Sequence, residues 1–169
     1  MKIDLRDLKE DVSSIHLKLV PEELGLVCEG ATFGKAVDLD LTLRRGGEDL
    51  FCTGEARTEL EMECCRCLES FPYTLKTRIE FLVRVGKDQI EIEYQDQAEP
   101  LIFPGGQSFS IDSLVKEAIL LSLPVKPLCT EECKGLCPMC GANLNSSSCG
   151  CRKEKADTRW EKLKDLFKG

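Results

Sequence analysis

The segment from Cys129 to Cys151 limits what this chain can fold into more than any other stretch. It reads CTEECKGLCPMCGANLNSSSCGC, with six cysteines in 23 residues. The two thiols of the C-P-M-C sequence at 137–140 can face one ion because the chain turns back between them, and Gly141 permits a positive φ at the exit of that turn. The C-G-C sequence at 149–151 supplies another close pair. Four cysteines in two short pairs are typical of a structural zinc site.

An upstream C-x-x-C pair, Cys64 and Cys67, brings the candidate metal ligands to eight. Eight thiolates would complete two four-cysteine zinc sites, and the second site would link the end of a strand to a distant segment. The spacing also fits a single zinc ion in the C-terminal segment, with the upstream pair free. The preferred grouping is Cys137, Cys140, Cys149 and Cys151 on one ion, and Cys64, Cys67, Cys129 and Cys133 on a second.

Two other cysteine chemistries fit the spacing less well. A redox-active C-x-x-C normally lies between a strand and a helix, whereas Cys64 and Cys67 lie between two predicted antiparallel strands. Iron–sulfur ligation also uses four thiolates, and the C-P-M-C-G turn resembles a rubredoxin knuckle. The chain has a C-x-C pair in place of a second C-P-x-C-G sequence. Zinc is therefore the preferred interpretation.

The composition is typical of a folded protein in a reducing compartment. Hydrophobic residues make up 42% of the chain, and a net charge of −7 disfavours a protein that coats nucleic acid over its whole surface. The N-terminus lacks the apolar run of a signal peptide, and no window reaches 18 apolar residues, so we expect no membrane segment. The expected location is the cytoplasm, where 11 cysteines indicate metal ligands or free thiols rather than disulfides.

Alternation of apolar and polar residues predicts a largely antiparallel sheet in the first half of the chain. Gly54 suggests a bulge or bend in the longest of these runs. Residues 95–109 contain two prolines and two glycines and are predicted to form a loop. The predicted strands are 14–20, 35–43, 50–64, 71–85 and 90–94.

Helical spacing of apolar residues follows this sheet. Ile111, Leu114 and Ala118 share one face of a predicted helix, which ends before Pro124. A last amphipathic helix is predicted to begin near Asp157. The expected fold class is α+β, with an antiparallel sheet domain and closing helix at residues 1–123. A cysteine-rich zinc module with the C-terminal helix would follow at residues 124–169.

The sequence offers no positive case for an enzyme. His16 is the only histidine, so a Ser/His/Asp set would depend on it alone. A complete shell of four cysteines leaves no open position on zinc for a catalytic water. The chain contains neither a G-x-x-x-x-G-K-[ST] nor a G-x-G-x-x-G phosphate-binding sequence. We therefore expect a non-enzymatic protein.

Five segments carry a resemblance to a known family. They are ECCRCLESF at 63–71, LPVKPLC at 123–129, CKGLCPMCGANLN at 133–145, CGC at 149–151 and DTRWEKL at 157–163. In these segments, and in their order and spacing, the chain resembles the YceD-like proteins of bacteria and plastids, named for large ribosomal RNA subunit accumulation. The resemblance implies a cytoplasmic, non-enzymatic factor needed for normal accumulation or processing of that RNA.

The uneven charge of the chain suggests two kinds of partner. Residues 1–123 carry a net charge of −10, whereas residues 124–169 carry +3. Glu59, Glu61 and Glu63 form an acidic strand face that could capture a basic ribosomal protein, making the chain an escort. The preferred hypothesis is that basic residues beside the metal module contact phosphates of ribosomal RNA or of a precursor particle. These basic residues are Lys134, Arg152, Lys153, Lys155, Arg159, Lys162 and Lys164.

Overall fold

Nine β-strands are present in the computed structural model, which describes residues 2–8, 11–94 and 99–151. All of their pairings are antiparallel. The strands are β1 Lys2–Asp4, β2 Val12–Leu19, β3 Ala31–Thr32, β4 Val37–Gly46, β5 Asp49–Glu63, β6 Ser70–Val85, β7 Gln89–Tyr94, β8 Leu101–Pro104 and β9 Ser108–Ser110. Seven form one sheet, in which six follow the order β2-β4-β5-β6-β7-β8 and β3 pairs with β5. β1 and β9 form a separate pair.

Helices are few in the described part of the chain. They are α1 Pro21–Leu24 and α2 Asp112–Leu121, with a 3₁₀ turn at Leu5–Asp7. Neither α-helix is long and apolar enough to cross a membrane. The predicted antiparallel sheet is thus confirmed, with few helices added to it. The predicted C-terminal amphipathic helix lies outside the described residues.

Alternation along the strands places one face of the sheet in the core. In β4, Val37, Leu39 and Leu41 are buried, and the intervening residues point to the other face. The β4–β5 hairpin turns at Gly47, whose φ of 71° lies in the left-handed region that glycine adopts readily. α2 covers part of the core face with its buried Leu114 and Ile119.

The β5–β6 hairpin is the element that positions the first cysteine pair. Its pairing runs without interruption from Asp49 opposite Arg84 to Glu63 opposite Ser70. The connection at residues 64–69 therefore lies at one end of the sheet, and it contains the upstream C-x-x-C sequence. Phe71 packs against both the main core and a small separate cluster that includes Cys64 and Cys67.

Two sequence expectations are wrong in detail. Gly54 does not mark a bulge, because β5 keeps one register with β4 and with β6 on both sides of it. It permits close approach instead, since a Cβ there would lie 2.2 Å from the backbone oxygen of Asp40. The predicted loop at 95–109 contains β8 and β9. Their two glycines, Gly105 and Gly106, both have positive φ and form the turn between these strands.

The segment after α2 carries the chain to the cysteines. Ser122 ends the helix, and its Oγ donates to the Ala118 carbonyl at 2.7 Å. The same oxygen lies 2.6 Å from Thr77 Oγ1 of β6 and accepts a hydrogen bond from that hydroxyl. Farther along, the Pro127 carbonyl accepts the N–H of Cys65 at 2.9 Å. The chain is thus attached to the β5–β6 hairpin two residues before Cys129.

Candidate metal centre

Eight cysteines form two compact groups of four, each with all its sulfur atoms within 4.8 Å of one another. The structure brings together the same two groups of four cysteines that the sequence analysis preferred. Groups of this kind could hold a metal ion. Cluster 1 consists of Cys64, Cys67, Cys129 and Cys133, and cluster 2 consists of Cys137, Cys140, Cys149 and Cys151.

The two C-x-x-C turns have the same backbone pattern. In cluster 1, the N–H of Leu68 donates to the Cys64 carbonyl at 2.9 Å, and the Cys64 N–H donates to the Glu69 carbonyl at 3.0 Å. In cluster 2, the N–H of Gly141 donates to the Cys137 carbonyl at 2.8 Å, and the Cys137 N–H donates to the Ala142 carbonyl at 2.8 Å. Each turn holds two thiols on one side and turns backbone N–H groups toward them.

The residue that follows each C-x-x-C has a left-handed backbone. Gly141 has a φ of 72°, which glycine adopts without strain. Leu68 occupies the equivalent position with a φ of 60°, which is unusual for a bulky residue. Its side chain is 57% exposed, so packing gives it little compensation. The C-x-x-C turn of cluster 1 therefore forms although the left-handed conformation of Leu68 raises the backbone energy.

Cluster 1 is closed by contacts between the hairpin tip and the 133–136 loop. The Arg66 guanidinium donates from Nη1 to the Cys133 carbonyl at 2.8 Å, and the Arg66 carbonyl accepts the N–H of Leu136 at 3.1 Å. Gly135 lies against the same carbonyl, and a Cβ there would be 3.0 Å from it. These contacts hold Cys133 beside the hairpin cysteines, and sequence reasoning did not assign Arg66 this role.

Sulfur–sulfur distances in cluster 1 suit a tetrahedral metal ion. Cys64 Sγ lies 3.8 Å from Cys133 Sγ, and Cys67 Sγ lies 3.7 Å from Cys129 Sγ. With zinc–sulfur bonds of about 2.3 Å, a regular tetrahedron has sulfur–sulfur edges of about 3.8 Å. Disulfide bonding would need sulfurs at about 2.0 Å. The donor set and its dimensions therefore fit a four-thiolate metal site.

Thiol pKa values differ sharply within cluster 1. Burial opposes ionisation of Cys64, but N–H groups of Cys129, Cys67 and Arg66 outweigh it and lower its pKa to about 6. The N–H of Glu69 favours the Cys67 thiolate, yet burial and the adjacent thiols raise the pKa of Cys67 to about 12. The pKa of Cys133 is also lowered, by the Asn145 amide, whereas burial raises that of Cys129. Ionisation of all four thiols would require a cation among them.

Cluster 2 also combines a thiol of lowered pKa with one of raised pKa. The N–H groups of Cys140 and Met139 lower the pKa of Cys137 to about 6. The neighbouring Cys140 side chain, helped by burial, raises the pKa of Cys151 to about 12. In each cluster the first cysteine of the C-x-x-C turn thus has a lowered thiol pKa, and binding of a dication would release protons from the thiols that remain neutral.

Burial distinguishes the two clusters. In cluster 1, three of the four cysteines are buried, whereas in cluster 2 only Cys137 is. Phe71, Leu128 and Leu136 pack around cluster 1. Cluster 1 is thus shielded by apolar side chains, and cluster 2 lies nearer to solvent.

Asn145 contacts cluster 1 although it belongs to the loop that joins the two halves of cluster 2. Its Nδ2 donates to Cys133 Sγ at 3.3 Å, and this bond is the main influence that lowers the Cys133 pKa. Sequence reasoning missed this role. The only available signal was the A-N-L-N sequence, and nothing in it shows that the loop folds back toward Cys133.

The other candidate residues from the sequence analysis lie on several different elements of the fold. Lys134 is exposed next to Cys133. Glu59, Glu61 and Glu63 are exposed on β5, with Glu59 paired to Lys35. His16 bonds from Nδ1 to Asp40 at 2.6 Å, far from either cluster in the sheet. The remaining predicted RNA-contacting residues, Arg152, Lys153, Lys155, Arg159, Lys162 and Lys164, lie outside the described residues.

A family model described as "Large ribosomal RNA subunit accumulation protein YceD" matches residues 52–167. The chain belongs to the YceD family. This confirms the resemblance seen in the sequence. The matched residues begin in β5 and include every cysteine of the two clusters. The clusters are thus part of the segment that the YceD family model describes.

Relatives of this YceD-family chain occur in Mycobacterium species and in plants. An uncharacterized protein of Mycobacterium tuberculosis is 29% identical over 148 residues, covering 87% of this chain and 70% of that protein. An Arabidopsis thaliana protein named "Large ribosomal RNA subunit accumulation protein YCED homolog 1, chloroplastic" is 26% identical over 157 residues, covering 79% of this chain and 49% of its own. A Zea mays protein of the same name is 29% identical over 160 residues. No solved structure matches the chain.

Proposed function

We propose that this protein is a non-enzymatic, zinc-stabilised cytoplasmic factor that supports accumulation of large-subunit ribosomal RNA during ribosome assembly. The proposal rests on one observation in particular. Four thiols from the β5–β6 hairpin and from the segment after α2 meet in cluster 1 at distances that suit a tetrahedral ion. Membership of the YceD family supplies the ribosomal RNA context.

Zinc is the ion that the ligand set favours. All eight proposed ligands are thiolates in two groups of four, which structural zinc sites commonly use. Bound zinc would supply charge neutralisation for the four thiolates of each cluster and thereby fasten the chain segments that carry them. The full sulfur shell leaves no position for a substrate, which supports a structural role rather than catalysis.

The proposed RNA contact lies beside the metal module. Lys134 is exposed next to a cluster 1 ligand, and the basic residues from Arg152 onward follow directly after Cys151 of cluster 2. Zinc in cluster 2 would therefore fix Cys151, the residue after which the basic segment follows in the sequence. Phosphate contacts from these lysines and arginines would position the protein on RNA without reading its sequence.

Crosslinking in living cells followed by sequencing of the attached RNA tests this proposal. The wild-type protein is expected to enrich large-subunit ribosomal RNA. A C137S/C140S variant, which loses half of cluster 2, is expected to lose that enrichment. Charge reversal of Lys153 and Lys155 should weaken it while leaving the zinc content unchanged. Enrichment that persists in all variants would move the RNA surface to the sheet, and absence of enrichment in the wild type would exclude direct RNA contact.

A second candidate function is that of an escort for a basic ribosomal protein. The β5 strand exposes Glu59, Glu61 and Glu63 in one line, and Glu131 and Glu132 are exposed beside cluster 1. Such a charge distribution favours a partner of opposite charge. Charge reversal of the three β5 glutamates should abolish capture of the basic partner in a pull-down. Unchanged capture would rule out this strand face as its binding surface.

A further inference from the structure

Asn145 joins the two cysteine clusters. Its loop runs between Cys140 and Cys149, so both ends of the loop belong to cluster 2. Its side chain nevertheless reaches cluster 1, where Nδ2 lies 3.3 Å from Cys133 Sγ. The same side chain accepts the backbone N–H of Lys134 at Oδ1, at a distance of 2.8 Å. One amide therefore contacts the cluster 1 ligand and the residue that follows it.

The orientation of this amide follows from its partners. A backbone N–H can only donate, so the atom that faces Lys134 must be the oxygen. The opposite end of the amide is then NH₂, and it must point to the sulfur of Cys133. A thiolate bound to a metal keeps lone pairs that accept such a bond.

Backbone contacts fix the loop against cluster 1. The Leu144 N–H donates to the Gly135 carbonyl at 2.9 Å, and Asn143 forms a β-bridge with Leu136. Asn143 Oδ1 also accepts the N–H of Asn145 at 2.9 Å. The position of the Asn145 side chain therefore depends on the whole loop, whose two ends are held by the thiols of cluster 2.

We propose that the two metal sites bind their ions cooperatively, with Asn145 as the positioning residue that couples them. An ion in cluster 2 fixes both ends of the loop, and the ordered loop presents the Asn145 amide to Cys133 Sγ in cluster 1. The coupling is reciprocal, because a filled cluster 1 holds the partner of that amide in place. This inference rests on the proposed metal-binding role of both clusters.

The size of the effect can be bounded. Residues that hydrogen-bond to metal ligands typically change metal affinity by about 10–100-fold when they are replaced. Asn145→Asp keeps Oδ1 as the acceptor for Lys134, but it removes the N–H donor and places negative charge beside the thiolate. We expect it to lower the affinity of cluster 1 by about 10–100-fold. Ser148→Ala, an exposed change in the same loop, is the matched control and should leave both affinities unchanged.

Titration of the full chain with Co²⁺ provides the test, because sulfur-to-cobalt charge-transfer bands report thiolate ligands directly. Cys149→Ser weakens cluster 2, and Cys64→Ser weakens cluster 1, so the two variants assign the two binding steps. We expect Cys149→Ser to lower the affinity of cluster 1 by at least tenfold even though all four of its ligands are intact. We also expect Asn145→Asp to shift the cluster 1 band to longer wavelength, because a thiolate without its hydrogen bond is oxidised more easily.

A double-mutant cycle separates coupling from a merely local effect. If Asn145 carries the coupling, adding Asn145→Asp to Cys149→Ser should weaken cluster 1 little further. Fully additive effects, or a cluster 1 affinity that does not respond to Cys149→Ser, would overturn the proposal. A wild-type chain that binds two Co²⁺ ions independently would overturn it while leaving the proposed metal sites intact. A wild-type chain without thiolate bands would refute the metal sites themselves.

Discussion

At the scale of single residues, the two C-x-x-C turns share one backbone conformation but differ in the residue that adopts it. Both turns need a left-handed residue after the second cysteine. Gly141 meets that need without cost, whereas Leu68 adopts the same conformation with a Cβ. Since the hydrogen bonds around both turns are equivalent, the strain at Leu68 can be tested by direct exchange.

Leu68→Gly is expected to stabilise the folded protein by up to about 1 kcal/mol. The relief of left-handed strain, about 1–2 kcal/mol, exceeds the extra entropy that glycine loses on folding, about 0.5–1 kcal/mol. Gly141→Ala is the converse change in open space and should destabilise by about 1 kcal/mol. Urea unfolding at saturating zinc measures both. A destabilised Leu68→Gly variant would show that the exposed side chain makes a contact worth more than the strain.

Cys52 provides a second prediction at this scale, because burial raises its pKa to about 12. The folded-state pKa lies above that of the unfolded chain, so the stability contributed by the neutral thiol is fully present below about pH 8.5. It is lost as the pH rises toward 12. At pH 8, alkylation of Cys52 should be at least ~100-fold slower in the folded than in the unfolded protein. Peptide mass spectrometry measures this, with exposed Cys65 as the control that should label quickly in the folded protein. Labelling of folded Cys52 as fast as that of Cys65 would contradict the prediction.

At the scale of elements, the β5–β6 hairpin belongs to the sheet and also supplies two cysteines of the candidate metal centre. Its long register places the hairpin tip, residues 64–69, at one end of the sheet, where the segment after α2 arrives. The hairpin is held on its other side by β4, which approaches β5 closely at Gly54. A change at Gly54 should therefore affect the sheet without touching either cluster.

Gly54→Ala is expected to destabilise the protein by about 2–3 kcal/mol, because the new Cβ would overlap the Asp40 backbone oxygen and Leu41 Cδ2. Gly34→Ala is the matched control, since a Cβ there meets nothing within 4 Å. It should be neutral or stabilise slightly. Thermal unfolding with zinc present compares the two. Equal stability of both variants would mean that β4 and β5 separate at little cost.

At the scale of the whole molecule, the buried residues form a main core and a smaller cluster around the cysteines of cluster 1. The hydrophobic core formed by the sheet and α2 includes no cluster cysteine, while Cys64, Cys67 and Cys133 belong to a second, smaller group. Phe71 is the side chain that packs against both. Loss of metal should therefore loosen one part of the protein before the other.

If the clusters hold zinc as proposed, its removal with a chelator is expected to leave the sheet folded and to release the cysteine-rich segment. Repulsion among thiolates and loss of the metal bonds act only at the clusters. Hydrogen exchange should then lose protection at residues 64–69 and 127–151, but keep it in β4, β5 and β6. Re-addition of zinc should restore the pattern. Cooperative unfolding of the whole sheet on chelation would show that the core depends on the metal.

Much of this architecture was predictable from local patterns. Alternation of apolar residues indicated β4, β5 and β6 because each strand buries one face, and helical spacing indicated α2. The short strands β8 and β9 were missed, since prolines and glycines around them predict a loop. Gly54 was misinterpreted because a glycine inside a strand signals either a bulge or close contact, and only the neighbouring strand distinguishes these.

The sequence by itself determined the eight cysteines and their local turns, because a C-x-x-C turn depends on bonds within six residues. It also indicated the YceD family. Only the tertiary structure decided which thiols meet, since the hairpin tip and the segment after α2 are brought together by sheet pairing and helix packing. It also decided the role of Asn145. A hydrogen bond between a loop of one cluster and a sulfur of the other exists only when both segments have folded.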